Sequence, residues 1–267
     1  MKSIDFLKNN NVDIDSSLEL FGDIQTYNET IGEFLYGLDD KIKKLENYMN
    51  GGDMANYAIL VHSLKSDAKY FGFNKLRDIA YDHELKSKGN DYYYVKEHFP
   101  ELKNEVEVSK KIVKEYMSDN TEETVIQKEE PINTKVYEKD TILVVDDSNI
   151  VRNFVKRLFQ DQYEIDCAND GEEALNIIKA NKDNNKIICI LLDLNMPKVS
   201  GFNVLDYMKE NDLFKTSPVA IITGDSSKDT IDKAFTYGIV DMLGKPFNGE
   251  DVKRVIDKCI YYREMNN

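Results

Sequence analysis

Two textures of apolar spacing divide the chain. Up to about residue 117, apolar residues recur every third and fourth position with little proline, the period of amphipathic helices. From Thr141 onward, short apolar runs alternate with helical patterns instead. The runs are Thr141–Val145, Tyr163–Ala168, Ile187–Leu192, Val219–Thr223 and about Val240–Leu243, and a last helix is expected from about Gly249. Strands alternating with helices predict βαβ units and a parallel sheet with right-handed crossovers. The unbroken apolar run Ile187–Leu192 fits a strand covered on both faces. Two domains are therefore expected: an all-α bundle over 1–117 and a doubly wound five-stranded sheet over 141–267. Residues 118–140 break both patterns, with seven acids, three bases and Pro131, and read as an acidic flexible linker.

Composition narrows the function classes. The chain has 267 residues, 41% of them hydrophobic, enough apolar material for two cores. Its net charge of -14 repels nucleic acid, which is bound mainly through basic contacts to phosphate, and no basic stripe is present. Direct nucleic-acid binding is not expected. No apolar run approaches the ~18 residues of a membrane span, and the N-terminal stretch lacks the apolar core of a signal peptide. A cytoplasmic protein without membrane partners is expected. Cys167, Cys189 and Cys259 are far apart and lack metal-site spacing, so all three read as small buried hydrophobes in a reducing compartment.

The strand ends carry the chemistry. In open parallel sheets, sites form beyond the carboxyl ends of the strands. The first strand ends in Asp146 and Asp147, the third in Asp193 and the fourth in Thr223; Lys245-Pro246 follows the fifth. Three converging carboxylates repel one another unless a cation neutralises them. Hard oxygen donors with open positions suit Mg²⁺, which bridges to phosphate. A carboxylate can then attack phosphorus and form an aspartyl phosphate, with an ammonium and a hydroxyl holding the phosphoryl oxygens. Taken singly, any of these acids is more simply a turn residue or helix cap, as Ser148 is expected to be for the next helix. The ordered set is what points to chemistry.

The segments ILVVDDSNIVR, ILLDLNMPKVSGFNVL, IITGDSS and LGKPF resemble the response-regulator receiver family. The spacings agree: Asp147, Asp193, Thr223 and Lys245 follow one another at 46, 30 and 22 residues. The resemblance implies a flavodoxin-like receiver, with Asp193 as phosphoacceptor and Asp147 as direct Mg²⁺ ligand. Asp146 would act mostly through water, and the Asn195 carbonyl would complete the ligands. Thr223 and Lys245 would contact the phosphoryl group, while Met196-Pro197 and Gly201 shape the loop. Many receivers carry an aromatic ring three residues before the lysine. Here that position is Met242, which implies intact acceptor chemistry with an altered conformational output.

The helical half offers one candidate nucleophile. Around residues 56–73, Leu60, Val61, Leu64, Ala68 and Phe71 form an apolar stripe. His62, Lys65, Ser66 and Lys69 fall at i, i+3, i+4 and i+7 on another face, which is expected to be solvent-exposed. An exposed imidazole is a good phosphorus nucleophile near neutral pH, and neighbouring lysines balance phosphoryl charge. An isolated His-x-x-Lys is more simply a solvated surface. The segment HSLKSDAKYFGFNKL, with its flanking helices, resembles the histidine-containing phosphotransfer (HPt) family over about residues 10–117. That resemblance implies an antiparallel four-helix bundle, His62 as phosphohistidine and Lys65 as its charge partner. It departs from the family at Ser66, where glycine is frequent. His83 reads as a structural histidine on the apolar face, and His98 beside Phe99-Pro100 as lying at a helix break. Tyr92, Tyr93, Tyr94 and Phe99 are expected to pack the bundle.

Two function classes follow. In the first, the chain is a phosphorelay protein whose partners are a sensor histidine kinase or other receiver or HPt proteins. In the second, the helical half is a docking or dimerisation module without phosphotransfer, and the receiver switches protein binding. A dedicated aspartyl-phosphate phosphatase ranks below both, because no further acid stands out around His62. No kinase ATP-binding domain is seen, so the phosphoryl group is expected to come from outside.

Overall fold

The computed structural model describes residues 1–118, 139–224 and 227–266. The chain divides into two compact units between residues 127 and 128. That division, and most of the expected linker (119–138), lie outside the described residues.

The first unit is all-α. Two short helices, α1 (Ile4–Asn9) and α2 (Ile14–Phe21), precede four long ones. These are α3 (Ile24–Asn50), α4 (Met54–Tyr70), α5 (Asn74–Lys88) and α6 (Tyr92–Met117). Aspartates begin four of the six helices: Asp13, Asp23, Asp53 and Asp91 each accept a backbone N–H at the N-cap. Each long helix packs against the next, and α6 closes on α3. The α4–α5 turn depends on Gly72. Its φ is +76°, and a Cβ there would stand 2.5 Å from the Asp13 carbonyl oxygen, so only glycine lets the turn lie against the start of α2. The core is aromatic at this end, with the Phe34 ring stacked on Phe71 and Phe73 at 4.8 and 5.3 Å between centroids.

The structure corrects one boundary. α6 runs unbroken through Pro100, so His98 does not lie at a helix break. Proline removes one backbone donor there, but buried Val95, Phe99, Leu102 and Val106 hold the helix from both sides. The His98 ring stacks on Tyr94 at 4.0 Å. Of the expected packing aromatics, Phe99 is buried, whereas Tyr93 is exposed at the surface.

The second unit is a five-stranded, wholly parallel sheet in the order β2-β1-β3-β4-β5. The strands are β1 (Thr141–Val145), β2 (Glu164–Ala168), β3 (Ile187–Asp193), β4 (Val219–Thr223) and β5 (Asp241–Gly244). The helices are α7 (Asn149–Phe159), α8 (Gly171–Asn181), α9 (Gly201–Glu210), α10 (Lys228–Phe235) and α11 (Gly249–Asn266). β1, β3 and β4 are buried along their whole length, as unbroken apolar runs require. Ala174, Ile177 and Ile178 of α8, Val204, Leu205 and Met208 of α9, and Ala234 of α10 cover one face. α7 and α11 pack together and against the strands as well. Cys189 and Cys259 are buried, while Cys167 is only partly so because it sits on the edge strand β2. The strand order reverses between β1 and β3, which opens a crevice at their carboxyl ends.

Candidate functional site

The crevice collects the acids. One carboxylate oxygen each from Asp146, Asp147 and Asp193 lies within 4.8 Å of the others. Asp146 is wholly buried and Asp193 is 1% exposed. Lys245 reaches in from the end of β5, its Nζ 2.6 Å from Asp146 Oδ2 and 2.6 Å from Asp193 Oδ2. The Asn195 backbone N–H donates to Asp193 Oδ1 at 3.0 Å. Thr223, buried at the end of β4, pairs in register with Gly244 just before the lysine.

The electrostatics are those of an overcrowded anion site. Burial raises the Asp146 pKa to about 7, with Asp193 and Asp147 adding repulsion and Lys245 opposing the rise. Burial disfavours the Lys245 charge, but Asp146, Asp193 and Asp147 outweigh it and hold the lysine above its ordinary value. One ammonium is thus shared by Asp146 and Asp193. Lys245 bridges the two buried acids, with Asp193 Oδ2 and Asp146 Oδ2 both within ion-pair distance of its ammonium. An all-oxygen donor set of three clustered carboxylates fits Mg²⁺.

The loop behind Asp193 is tightly built. Gly201 opens α9 with its N–H on the Leu194 carbonyl at 3.1 Å. A Cβ on Gly201 would lie 2.2 Å from the Asp193 carbonyl oxygen. Met242 occupies β5 opposite Ile221 and packs, partly buried, against the sheet core.

An acid crevice beyond the strand ends of a doubly wound parallel sheet is the arrangement expected of the receiver class, and the comparisons agree. The profile described as "Response regulator receiver domain" matches residues 142–257. The two-component response regulator ORR3 of Oryza sativa subsp. indica is 30% identical over 120 residues, 45% of this chain and 89% of that protein. ARR5 of Arabidopsis thaliana, also a two-component response regulator, is 30% identical over 132 residues, 46% of this chain and 72% of that protein. The probable methanogenesis regulatory protein FilR2 of Methanothrix harundinacea is 29% identical over 126 residues, 45% of this chain and 81% of that protein. The chain belongs to the two-component response-regulator receiver family, and its second unit is the receiver domain.

The helical unit holds a second constellation, different from the one expected. His62 is 5% exposed, not on an open face. The single-stripe reading fails because α4 packs against both α3 and α5, so polar residues on both flanks are buried and paired. Toward α3, Ser63 accepts from Lys41 Nζ at 2.8 Å, and Asp67 forms an ion pair with the same lysine. Toward α5, His62 Nδ1 donates to Glu84 Oε1 at 2.7 Å, and Lys65 Nζ donates to Glu84 Oε2 at 2.6 Å. Lys88 Nζ donates to Glu84 Oε1 at 2.7 Å. Lys65 Nζ is 3.4 Å from His62 Nδ1, a contact rather than a bond, because that nitrogen already donates to the carboxylate.

Glu84 is the acid that sequence reasoning lacked around His62. Burial works against its charge, but His62, Lys65 and Lys88 hold its pKa well below the ordinary carboxylate range. The signal was present. Glu84 falls eight residues after Leu76, on the buried stripe of α5, and a buried carboxylate requires a cationic partner. His62 Nε2 is shielded and has no hydrogen-bond partner among the described residues. Ser66 is half-buried and Lys69 exposed. His83, expected to be structural, is 1% exposed and pairs through Nδ1 with the Tyr57 hydroxyl at 2.7 Å. Among the described residues, no helix is long and apolar enough to cross a membrane.

Proposed function

We propose that this chain is a cytoplasmic phosphorelay protein that carries phosphoryl groups on Asp193 and His62. The acid crevice bridged by Lys245 supports the reading most directly. Asp193 attacks phosphorus in line with the departing group, its Oδ1 steadied by the Asn195 N–H. Lys245, now on Asp193 Oδ2, takes up the charge of the arriving phosphoryl oxygens, and the Thr223 hydroxyl donates to another. Asp146, Asp147, Asp193 and the Asn195 carbonyl would hold Mg²⁺, which when bound neutralises the carboxylates and the phosphoryl group. The donor is a sensor histidine kinase or another phosphorelay protein, and activity in this sense is phosphotransfer and self-dephosphorylation. Met242 replaces the usual ring, so the conformational output is altered.

In the helical unit, the bundle is of phosphotransfer type. Glu84 fixes the His62 tautomer with the proton on Nδ1, which leaves the Nε2 lone pair for phosphorus. Lys65 then turns from Glu84 toward the phosphoryl group. The covered Nε2 favours a second reading, in which the helical unit docks partners without carrying phosphate. Substitution of His62 by Gln separates the two. Incubation with acetyl phosphate and Mg²⁺ should give acid-labile label on His62 that disappears in His62→Gln and in Asp193→Ala. Unchanged phosphate flow in His62→Gln would establish the docking reading.

A further inference from the structure

The loop that carries Asn195 is tied to a neighbour two strands away. β1 lies between β2 and β3 in the sheet, and its end supplies Asp146 and Asp147. The loop after β3 nevertheless reaches past β1 to the start of α8, which follows β2. Lys198 Nζ meets Asp170 Oδ2 at 2.5 Å, and the Gly171 N–H donates to the Val199 carbonyl at 3.2 Å. The contact is built for closeness. A Cβ on Gly171 would stand 2.3 Å from the Val199 carbonyl oxygen. Lys198 adopts φ of 60°, a left-handed conformation that a non-glycine residue holds only when its surroundings fix it.

Asp170 is 3% exposed and both of its oxygens are engaged. Oδ1 accepts the Glu173 N–H at 2.9 Å, capping α8, and Oδ2 takes Lys198. The far end of the same loop is fixed by Gly201 on Leu194. A seven-residue segment, 194–200, is thus pinned at both ends, with Asn195 inside it.

We propose that the Asp170–Lys198 pair is a positioning clasp that sets the affinity of the acid crevice for Mg²⁺ by fixing the loop whose Asn195 carbonyl would be a ligand. The inference rests on the Mg²⁺-dependent acceptor reading above. Neither residue touches the reacting atoms. Releasing the clasp lets the carbonyl sample positions outside the ligand sphere, so affinity falls while chemistry at saturation is kept.

The test is calorimetric titration of Mg²⁺ into the full chain and four variants: Lys198→Met, Lys198→Arg, Asp170→Ser and the Met/Ser double variant. Serine retains the cap of α8 while removing the pair. Because Lys198 is largely exposed, the pair has the strength of a surface ion pair, so Lys198→Met and Asp170→Ser should each weaken Mg²⁺ about 3- to 5-fold. The double variant should be no worse than either single one, and Lys198→Arg should recover affinity. The rate of acetyl-phosphate phosphorylation at saturating Mg²⁺ should stay at the wild-type value, and the melting temperature should fall by no more than about 4 °C. A wild type that binds Mg²⁺ with both single variants within about 1.5-fold of it would overturn the clasp alone. Single effects that multiply in the double variant would overturn it too. Absence of any Mg²⁺ binding by the wild type would remove the acceptor reading itself.

Discussion

Replacing Gly201 by alanine tests how tightly the acceptor loop is built. The new Cβ would meet the Asp193 carbonyl oxygen at 2.2 Å and the Leu194 Cα at 2.8 Å. Both are backbone atoms, so no rotamer change relieves the clash, and the first contact lies over 1 Å inside the ~3.5 Å separation at which such atoms attract. Overpacking of this kind costs ~1–3 kcal/mol, partly offset by the ~1 kcal/mol helix preference of alanine. A net loss of about 1 kcal/mol is expected, about 4 °C in the receiver melting temperature at ~4 °C per kcal/mol. The moved carbonyl belongs to Asp193, the proposed acceptor. A displacement of ~1 Å at a reacting group costs up to ~100-fold, so acetyl-phosphate phosphorylation should slow by about 10- to 100-fold. Thermal unfolding and single-turnover labelling of the full chain measure the two effects. Gly37→Ala is the control, since a Cβ there meets nothing within 4 Å and alanine should stabilise α3 by up to ~1 kcal/mol. A Gly201→Ala protein with wild-type stability and labelling would refute the close-packed loop.

The helical unit gives two further expectations. Burial pushes the His83 pKa down to about 4 from 6.5, so between those values the unfolded chain binds a proton that the folded chain does not. This contribution is complete above about pH 6.5 and is lost as pH falls toward 4, by about 3 kcal/mol in all; urea unfolding of wild type at pH 7 and 4.5 should show a steeper loss than His83→Asn. Glu84→Gln removes the anion shared by His62, Lys65 and Lys88 and should destabilise the unit by about 2–4 kcal/mol, less than a fully buried pair because Lys88 is half exposed. A Glu84→Gln unfolding midpoint equal to wild type would show that the carboxylate does not hold the cluster.

The receiver was legible because its chemistry is ordered along the chain. β1 and β4 have the bounds their apolar runs predicted, and β5 differs by one residue at each end. Strand ends in a parallel sheet share one edge, so Asp147, Asp193 and Thr223 could be placed together from spacing alone. The helical unit was less legible because its polar contacts join different helices. The apolar stripe of α4 predicted one buried face, yet α4 is flanked by α3 and α5, and the Lys41–Asp67 and His62–Glu84 pairs are tertiary. Pro100 read as a break, but packing of Phe99 and Leu102 outweighs one lost backbone bond. The Asp170–Lys198 pair left no local signal, since the two residues are 28 positions apart and meet only once the sheet is ordered.

The most direct test of the central claim is chemical mapping of the label after incubation with acetyl phosphate and Mg²⁺. Base-labile phosphate on Asp193, absent from Asp193→Ala and dependent on Mg²⁺, is the predicted result. Label that persists in Asp193→Ala, or a wild-type chain that takes up none, would contradict the account.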